Sequence, residues 1–266
     1  MVARVHVRPD FGTTHEPCFV YGSNLSGRHD DASASLAVRF HGAAEGKWNA
    51  YNGNAYAIPY RDSHLQTLPL QVIRNYVATF MQQADKHPDR RYRVARFACE
   101  STAYTDAEIA PLFKRAPKNV ELSGVWRRTL DPQAPVRLLI HDPALKLCRP
   151  EIQANFDRYL ALNAPLWNAS QVEIVAVGIS RAAPLLRAEA ARLKLGFHNV
   201  TPDPDYYGDD ADIACEIDAI WYASHFLCIA ELDQTVEPHQ IRMLSYAMRG
   251  GLPVDELECG TRASRR

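Results

Sequence analysis

The sequence has no surplus of charge of one sign and no long apolar run. Its 30 lysines and arginines are balanced by 31 aspartates and glutamates, which gives a formal net charge of −1. A near-neutral balance does not indicate nucleic acid or an anionic membrane surface as a partner. Membrane-spanning helices need roughly 18 apolar residues, and secretory signals have an apolar core; neither feature occurs in this sequence. We therefore expect a cytoplasmic protein with no nucleic-acid or membrane partner.

The sequence also lacks paired cysteines. Its six cysteines are scattered, and no C-x-x-C spacing occurs. In a chain of 266 residues, this pattern argues against a disulfide scaffold and against a cysteine-rich zinc site. Reduced, mostly buried thiols are the expectation.

One acidic cluster could in principle hold a metal ion. Five aspartates lie within ten residues: Asp203, Asp205, Asp209, Asp210 and Asp212. Mg²⁺ and Ca²⁺ favour oxygen ligands, but the spacing is not that of an EF-hand loop. A solvated acidic loop is the favoured interpretation, and we predict no metal and no other cofactor.

Apolar runs alternate with helical patterns along the whole chain, which is typical of an α/β protein. In the first half we predict strands over residues 18–24, 55–59 and 91–99, and helices over residues 31–40, 68–87 and 106–113. The second of these helices is amphipathic, with one apolar face formed by Leu70, Ile73, Val77 and Phe80. Thr105 and Glu108 have the spacing of a capping box that opens the third helix.

A polar stretch with two prolines, residues 127–135, interrupts this pattern and is the predicted domain boundary. We expect one domain over residues 1–130 and another over residues 135–260. The pattern then restarts with strands over residues 136–140, 172–178, 197–201 and 226–230, separated by helices. Four strands spaced by helices predict a doubly wound parallel sheet. Gly196 is predicted to end one of these helices in the left-handed conformation.

The run from Val20 to Val38 places a loop of small residues between a strand and a helix. Backbone N–H groups and the helix dipole converge at such a position, which suits a phosphate. Gly22, Ser23 and Asn24 are the candidate ligand-binding residues, because glycine permits close approach and the amide can hydrogen-bond a ribose or a base. Plain turn chemistry is the more common explanation of the same residues.

Residues 17–126 resemble a bacterial and phage family of uncharacterised proteins. Its members read F-G-S-N-L-A-G-R-H-G-A-G-A-A, then Y-A-I-P-T-K-D, then I-G-C-G-L-A-G-Y before I-A-P-L-F; this chain has VYGSNLSGRHDDASA, AYAIPYRD, FACESTAY and IAPLF. That family is similar to the ADP-ribose-binding macro domain, in which two glycine loops clasp a diphosphate. The resemblance implies a macro-like α/β domain. It adds four ligand-binding candidates: Arg28, Cys99, Ser101 and Tyr104.

The chain departs from the family pattern at its glycines. Asp30 and Ala32 stand where the family has glycine in the first loop, and Glu100 lies in the second glycine loop. A Cβ intrudes there, and the carboxylates of Asp30, Asp31 and Glu100 are expected to repel a diphosphate. These three carboxylates and His29 are also the catalytic candidates. Hydrolysis through an oxocarbenium-like transition state needs a nearby carboxylate, and histidine transfers protons near neutral pH.

Residues 135–232 carry a second strand–turn–helix with Gly178, Ser180 and Arg181, followed downstream by Tyr207 and Gly208. The order of these motifs resembles the SLOG superfamily of Rossmann-like nucleotide-binding domains, whose members read G-G-x-R-G-A-D, then W-x-x-Y-G, then R-N. Glu216 falls in the place of that last motif and reverses the expected charge. The resemblance implies a second nucleotide site made by these six residues. A structural domain without a ligand is the alternative.

The sequence therefore predicts a nucleotide-binding or nucleotide-sensing protein for ADP-ribose or another NAD-derived nucleotide. ADP-ribosyl or N-glycosidic hydrolysis is the expected reaction class if the protein is an enzyme. The alternative is an inactive scaffold or inhibitor protein, of phage origin, that acts through protein contacts. Homo-oligomerisation is left open.

Overall fold

The computed structural model describes residues 16–29, 31–99, 104–142, 145–167, 171–230 and 238–258. The chain divides between Leu122 and Ser123 into two compact units, and each contains one five-stranded sheet of mostly parallel strands. The predicted α/β class is confirmed. No helix in the described part of the chain is long and apolar enough to cross a membrane. The predicted boundary at residues 127–135 stays a prediction; a helix, α4 (Gly124–Leu130), covers the first part of that stretch.

The first unit alternates strands and helices around one sheet. In chain order its elements are β1 (Cys18–Asn24), α1 (Ala32–His41), β2 (Ala50–Asn52), β3 (Ala55–Arg61), α2 (Leu70–Lys86), β4 (Tyr92–Val94), α3 (Asp106–Ile109) and β5 (Val120–Leu122). The strand order is β2-β3-β1-β4-β5, and every pairing is parallel except that of β2 with β3. Because β1, β3 and β4 run in the same direction, the loops that follow them emerge at one edge of the sheet.

The apolar face of α2 was predicted correctly for three of its four residues. Ile73, Val77 and Phe80 are fully buried. The ring of Phe80 lies 5.0 Å from Tyr56 and 5.4 Å from Tyr92, so α2 covers one face of the sheet with aromatic contacts. On the other face α1 packs against the aromatic rings of β1 and the alanines of β3. The capping box of Thr105 and Glu108 at the start of α3 is confirmed.

The second unit is a doubly wound parallel sheet, as predicted. After α4 its elements are β6 (Val136–His141), α5 (Pro150–Trp167), β7 (Val172–Val177), α6 (Ala183–Leu193), β8 (Gly196–Val200), α7 (Pro204–Tyr207), α8 (Ala211–Tyr222), β9 (His225–Ala230), α9 (Pro238–Arg249) and β10 (Val254–Glu258). The order β10-β9-β6-β7-β8 is 5-4-1-2-3 when counted from β6, and all pairings are parallel. The strand order reverses between β6 and β9, the place where such sheets bind ligands.

Helices cover both faces of this second sheet. α5 and α6 bury one set of strand side chains, whereas α8 and α9 bury the alternate set. The prediction for Gly196 was wrong, because α6 ends on Lys194 in the left-handed conformation (φ 58°) and Gly196 opens β8. The edge strand β10 was not predicted. Three of its five residues are acidic, a composition that native proteins use to protect sheet edges.

Candidate functional site

Three loops come together at the carboxyl edge of the first sheet. They follow β1, β3 and β4, and their described residues are 25–29 and 31, 62–69, and 95–99 with 104–105; we call this region the carboxyl-edge site. The first loop is tied to β3 by the Leu25 N–H, which donates to the Arg61 carbonyl at 3.0 Å. The third is tied to the second by the Tyr104 hydroxyl, which donates to the Leu68 carbonyl at 3.0 Å. Predicted ligand residues from distant parts of the sequence therefore share one edge.

Asn24 organises the first loop with its side-chain amide. Its Oδ1 accepts from the Ser26 hydroxyl at 2.6 Å and from the Arg28 N–H at 3.1 Å, while its Nδ2 donates to the Arg28 carbonyl at 2.8 Å. The residue is only 1% exposed. Both ends of the amide are therefore used to shape the loop. A role in setting the loop conformation accounts for Asn24 better than a direct contact to a ligand.

Gly22 and Ser23 lie inside β1 rather than in the loop. A Cβ on Gly22 would come within 2.5 Å of Phe97 Cβ and 2.9 Å of Tyr60 Cε1. The glycine is thus needed for the close approach of the third loop to β1. The Ser23 hydroxyl donates to the Trp48 carbonyl. Both residues form the floor of the carboxyl-edge site.

His29 is buried beneath the loop, with 6% of its surface exposed. Its Nε2 lies 3.0 Å from the Tyr21 hydroxyl, and its Nδ1 lies 3.3 Å from Glu45 Oε2. The Tyr21 hydroxyl also accepts from Asn52 Nδ2 at 3.2 Å. Burial raises the pKa of Tyr21, so this hydroxyl stays protonated. His29 therefore belongs to a buried polar network that supports the loop from below.

Asp31 is paired with a cation, which changes the expected electrostatics of the site. Its Oδ1 lies 2.9 Å from Arg61 Nη1, and both side chains are less than one-fifth exposed (17% and 16%). An arginine at this distance offsets the negative charge that was expected to repel a diphosphate. Asp31 is also the N-cap residue of α1, whose first turn has no acidic residue. Arg28 is exposed just before this helix.

The loop after β4 contains one residue in a strained backbone conformation and one arginine–aspartate ion pair. Ala98 adopts φ 61° at the position where the resembling family has glycine. Cys99 is half-buried, and its thiol donates to the Phe97 carbonyl at 3.3 Å. Arg96 clamps Asp106 with two hydrogen bonds of 2.7 and 2.9 Å. The remaining predicted site residues of this unit, Asp30, Glu100 and Ser101, lie outside the described residues.

In the second unit, Gly178, Ser180 and Arg181 follow β7 at the carboxyl edge of its sheet. The Gly178 N–H donates to the Val200 carbonyl at 2.6 Å, and a Cβ on Gly178 would lie 2.7 Å from that oxygen. The Ser180 hydroxyl accepts from the Ala182 N–H at 3.2 Å just before α6. Arg181 is exposed. The glycine thus joins the ends of β7 and β8, and Ser180 shapes the turn.

Tyr207 and Gly208 follow β8 at the same edge. Tyr207 contacts the neighbouring Tyr206 ring edge-on at 4.7 Å. Gly208 adopts φ 55° and ψ −130°, a conformation available essentially only to glycine. In the part of the chain that the structure describes, no group of three or more histidine, cysteine, aspartate or glutamate side chains has a metal-binding arrangement. The acidic aspartate cluster instead includes Asp203, which caps α7 through the Tyr206 N–H at 3.0 Å.

Glu216 lies 1% exposed on α8 and binds α9. Its two carboxylate oxygens accept from Arg242 Nε and Nη2, both at 2.8 Å. The pairing raises the pKa of Arg242. The neighbouring Cys215 thiol donates to the Val200 carbonyl at 3.0 Å, and burial raises the pKa of this thiol to about 12. Glu216 therefore holds two helices together, and its charge is compensated within the fold.

Comparisons of the chain with protein-family models, with curated protein sequences and with solved structures give no match.

Sequence reasoning missed the polar residues at the point where the second sheet reverses its order. Asp142 follows β6 and is 1% exposed; its carboxylate accepts from the Lys146 N–H at 2.8 Å and the Leu147 N–H at 2.9 Å. The Lys146 side chain is also buried. The sequence signal that could have indicated these residues is the polar pair His141–Asp142, which directly follows the apolar run of residues 136–140. The loop after β9, residues 231–237, lies outside the described residues.

An open cavity lies elsewhere in the first unit. It has a volume of about 320 Å³ and is lined by Tyr51 and residues 86–90. These residues precede β4 or pair with the start of β3, so they lie at the amino-terminal edge of the sheet. The cavity is therefore distinct from the carboxyl-edge site.

Proposed function

We propose that the first unit binds ADP-ribose or a related NAD-derived nucleotide at the carboxyl-edge site. The observation that supports this most is the loop between β1 and α1, which Asn24 shapes through three hydrogen bonds. A loop held in one conformation by the protein costs little further ordering when a ligand binds. Backbone N–H groups at the N-terminus of α1 then suit the phosphates of the ligand.

The charges around the loop are compatible with this proposal. Arg61 offsets the carboxylate of Asp31 at 2.9 Å, and the first turn of α1 carries no acidic side chain. Arg28 is exposed on the loop, where its guanidinium suits a bidentate contact to a phosphate. In this proposal Arg28 contacts the diphosphate, whereas Asn24 holds the loop backbone that receives it.

The second unit is proposed as a Rossmann-like, SLOG-like domain with a second nucleotide site. Its support is the parallel order 5-4-1-2-3 with helices on both faces. The turn of Gly178, Ser180 and Arg181 and the turn of Tyr207 and Gly208 both follow carboxyl ends of neighbouring strands. Ligands of open parallel sheets bind at that edge.

Asp31 is the carboxylate best placed for hydrolysis among the described residues of the carboxyl-edge site. Its Oδ1 is paired with Arg61, whereas its Oδ2 is buried with no hydrogen-bond partner in the described part of the chain. An oxygen of this kind can accept a hydroxyl or a water. We propose N-glycosidic or ADP-ribosyl hydrolysis as the reaction class that such a carboxylate would serve.

Calorimetric titration of the full chain with ADP-ribose, NAD and AMP tests the proposal. Arg28→Ala should weaken ADP-ribose binding by about 1 kcal/mol or more, because a hydrogen bond to a charged group is lost. Arg39→Ala is the matched control, since Arg39 is also an exposed arginine but lies in the last turn of α1. Equal effects of the two variants would place the ligand elsewhere.

Exposed apolar side chains in the second unit favour one alternative, a scaffold that binds other proteins. Leu162 and Leu166 on α5 are 65% and 79% exposed, and Ile241 and Met248 on α9 are 56% and 70% exposed. Large exposed apolar patches mark interaction sites. If no nucleotide binds and Leu162→Ser with Leu166→Ser changes the sedimentation behaviour of the chain, the scaffold function is supported instead.

A further inference from the structure

The cavity at the amino-terminal edge of the first sheet carries an inference beyond the proposed nucleotide site. Its volume of about 320 Å³ reaches the lower end of the range found for small-molecule pockets, about 300–1,000 Å³. One wall is Tyr51 of β2, and the other is the turn of residues 86–90 between α2 and β4. We propose that this cavity binds the oxyanion group, a carboxylate or a phosphate, of a small ligand.

The lining of the cavity is cationic. Lys86 and Arg90 supply two positive charges and Asp89 one negative charge. The net charge of the lining is therefore positive at neutral pH. Electrostatic attraction in a concave site raises the local concentration of anions.

The guanidinium of Arg90 is held in place before a ligand binds. Its Cζ lies 4.6 Å from the centre of the Tyr51 ring, and its Nη2 donates to Asn54 Oδ1 at 3.2 Å. A guanidinium has five N–H donors, so the bond to Asn54 leaves donors for an oxyanion. A fixed guanidinium loses little entropy when it binds an anion.

The turn that forms the second wall is fixed by Asn119. Its Nδ2 donates to the carbonyl oxygens of Ala84, His87 and Arg90, each at 2.9 Å. The last carbonyls of a helix normally carry partial negative charge and disfavour anions. Because the Asn119 amide binds these oxygens, the repulsion at the C-terminus of α2 is reduced and the turn keeps one shape.

Titration of the isotope-labelled full chain with inorganic phosphate tests the proposal by NMR. Backbone amide signals of Tyr51 and of residues 86, 87, 89 and 90 should shift and saturate together. Lys86→Gln should raise the dissociation constant roughly two- to fivefold, and Asp89→Asn should lower it by a similar factor, as expected for partly screened charges. Both side chains belong to exposed residues, so these variants should leave the fold intact.

Two matched variants serve as controls. Lys114→Gln and Asp85→Asn change the same charges at exposed positions of the first unit that do not line the cavity. They should leave the dissociation constant unchanged. If phosphate produces no saturable shift at the cavity, or if the controls respond as strongly as the lining variants, the proposal is overturned.

A parallel titration with acetate separates the two oxyanion classes. Saturation by phosphate alone assigns the cavity to phosphate esters, and saturation by acetate alone assigns it to carboxylates. Saturation by both supports the shared oxyanion chemistry. If neither ion produces saturable shifts at the cavity at millimolar concentrations, the proposal is contradicted, whatever the result for ADP-ribose at the carboxyl-edge site.

Discussion

At the scale of single residues, the polar side chains of the carboxyl-edge site bind the protein itself. Asn24 hydrogen-bonds its own loop, Asp31 pairs with Arg61, and Tyr104 bonds the Leu68 carbonyl. Candidate residue types could be chosen from the sequence, because amides, arginines and small residues suit a phosphate loop. Their partners could not, since the Asp31–Arg61 pair depends on how β1 and β3 lie side by side.

Asn24→Ala should destabilise the protein even when no ligand is present. The substitution removes three hydrogen bonds and leaves the Arg28 N–H and carbonyl without this partner, which should cost about 1–3 kcal/mol. Urea unfolding measures the change. Asn75→Ala, at an exposed position of α2, is the control and should stay within about 0.5 kcal/mol. Equal losses for both variants would contradict the structural role of Asn24.

Ala98→Gly should stabilise the protein by about 0.5–1 kcal/mol. Ala98 has φ 61°, and an L-residue pays about 1–2 kcal/mol in that region, of which part is offset by the greater unfolded-state entropy of glycine. Ala78→Gly, in the interior of α2, should instead destabilise by about 0.5–1 kcal/mol. Thermal unfolding of both variants gives the comparison; destabilisation by Ala98→Gly would show that the strain is absent.

His225 should make stability depend on pH. Burial and the nearby Arg128 lower the pKa of His225 to about 4, with Asp255 acting in the opposite direction. The folded protein therefore keeps this imidazole neutral, whereas the unfolded chain binds a proton below its usual pKa of about 6.5. The free energy of unfolding should fall by about 1–2 kcal/mol between pH 7.5 and 5.

His225→Gln should reduce this pH dependence, because glutamine does not titrate. His64→Gln, at an exposed position of the first unit, should leave it unchanged. Denaturant unfolding at the two pH values decides the question. If the free energy of unfolding changes equally with pH in the wild type and in His225→Gln, this imidazole does not resist protonation in the folded state.

At the scale of elements, apolar periodicity predicted most of the helices and the longer strands. The buried face of α2 follows from its spacing of apolar residues, and the capping box of α3 follows from Thr105 and Glu108. The three-residue strands β2 and β5 were missed, because so few residues show no alternation. The end of α6 was misplaced because Lys194, rather than a glycine, adopts the left-handed conformation.

The contact between α8 and α9 gives a prediction at this scale. Arg242→Met leaves the buried carboxylate of Glu216 without its cation, which should cost about 2–3 kcal/mol, less than a fully buried pair because Arg242 is 39% exposed. Combining it with Glu216→Leu should recover most of that loss, since apolar side chains can replace a buried ion pair. Unfolding measurements on the single and double variants test this coupling, and additive losses would contradict it.

At the scale of the whole molecule, two α/β units with parallel sheets follow from the alternation of strands and helices. The doubly wound order of the second unit was predictable, because parallel strands need crossover helices and such crossovers have a fixed hand. The cavity beside Tyr51 was not predictable, since one of its walls is a turn that Asn119 holds in place. Asn119 lies 29 residues or more from the carbonyls that it binds.

NMR mapping of ADP-ribose binding to the isotope-labelled full chain tests the central proposal most directly. The account predicts saturable amide shifts in residues 22–29 and 31, at Arg61, and in the loop after β4. Signals of residues 86–90, at the opposite edge of the sheet, should not follow the same saturation curve. Shifts confined to the second unit or to residues 86–90, or no shift at millimolar ADP-ribose, would contradict a nucleotide site at the carboxyl edge.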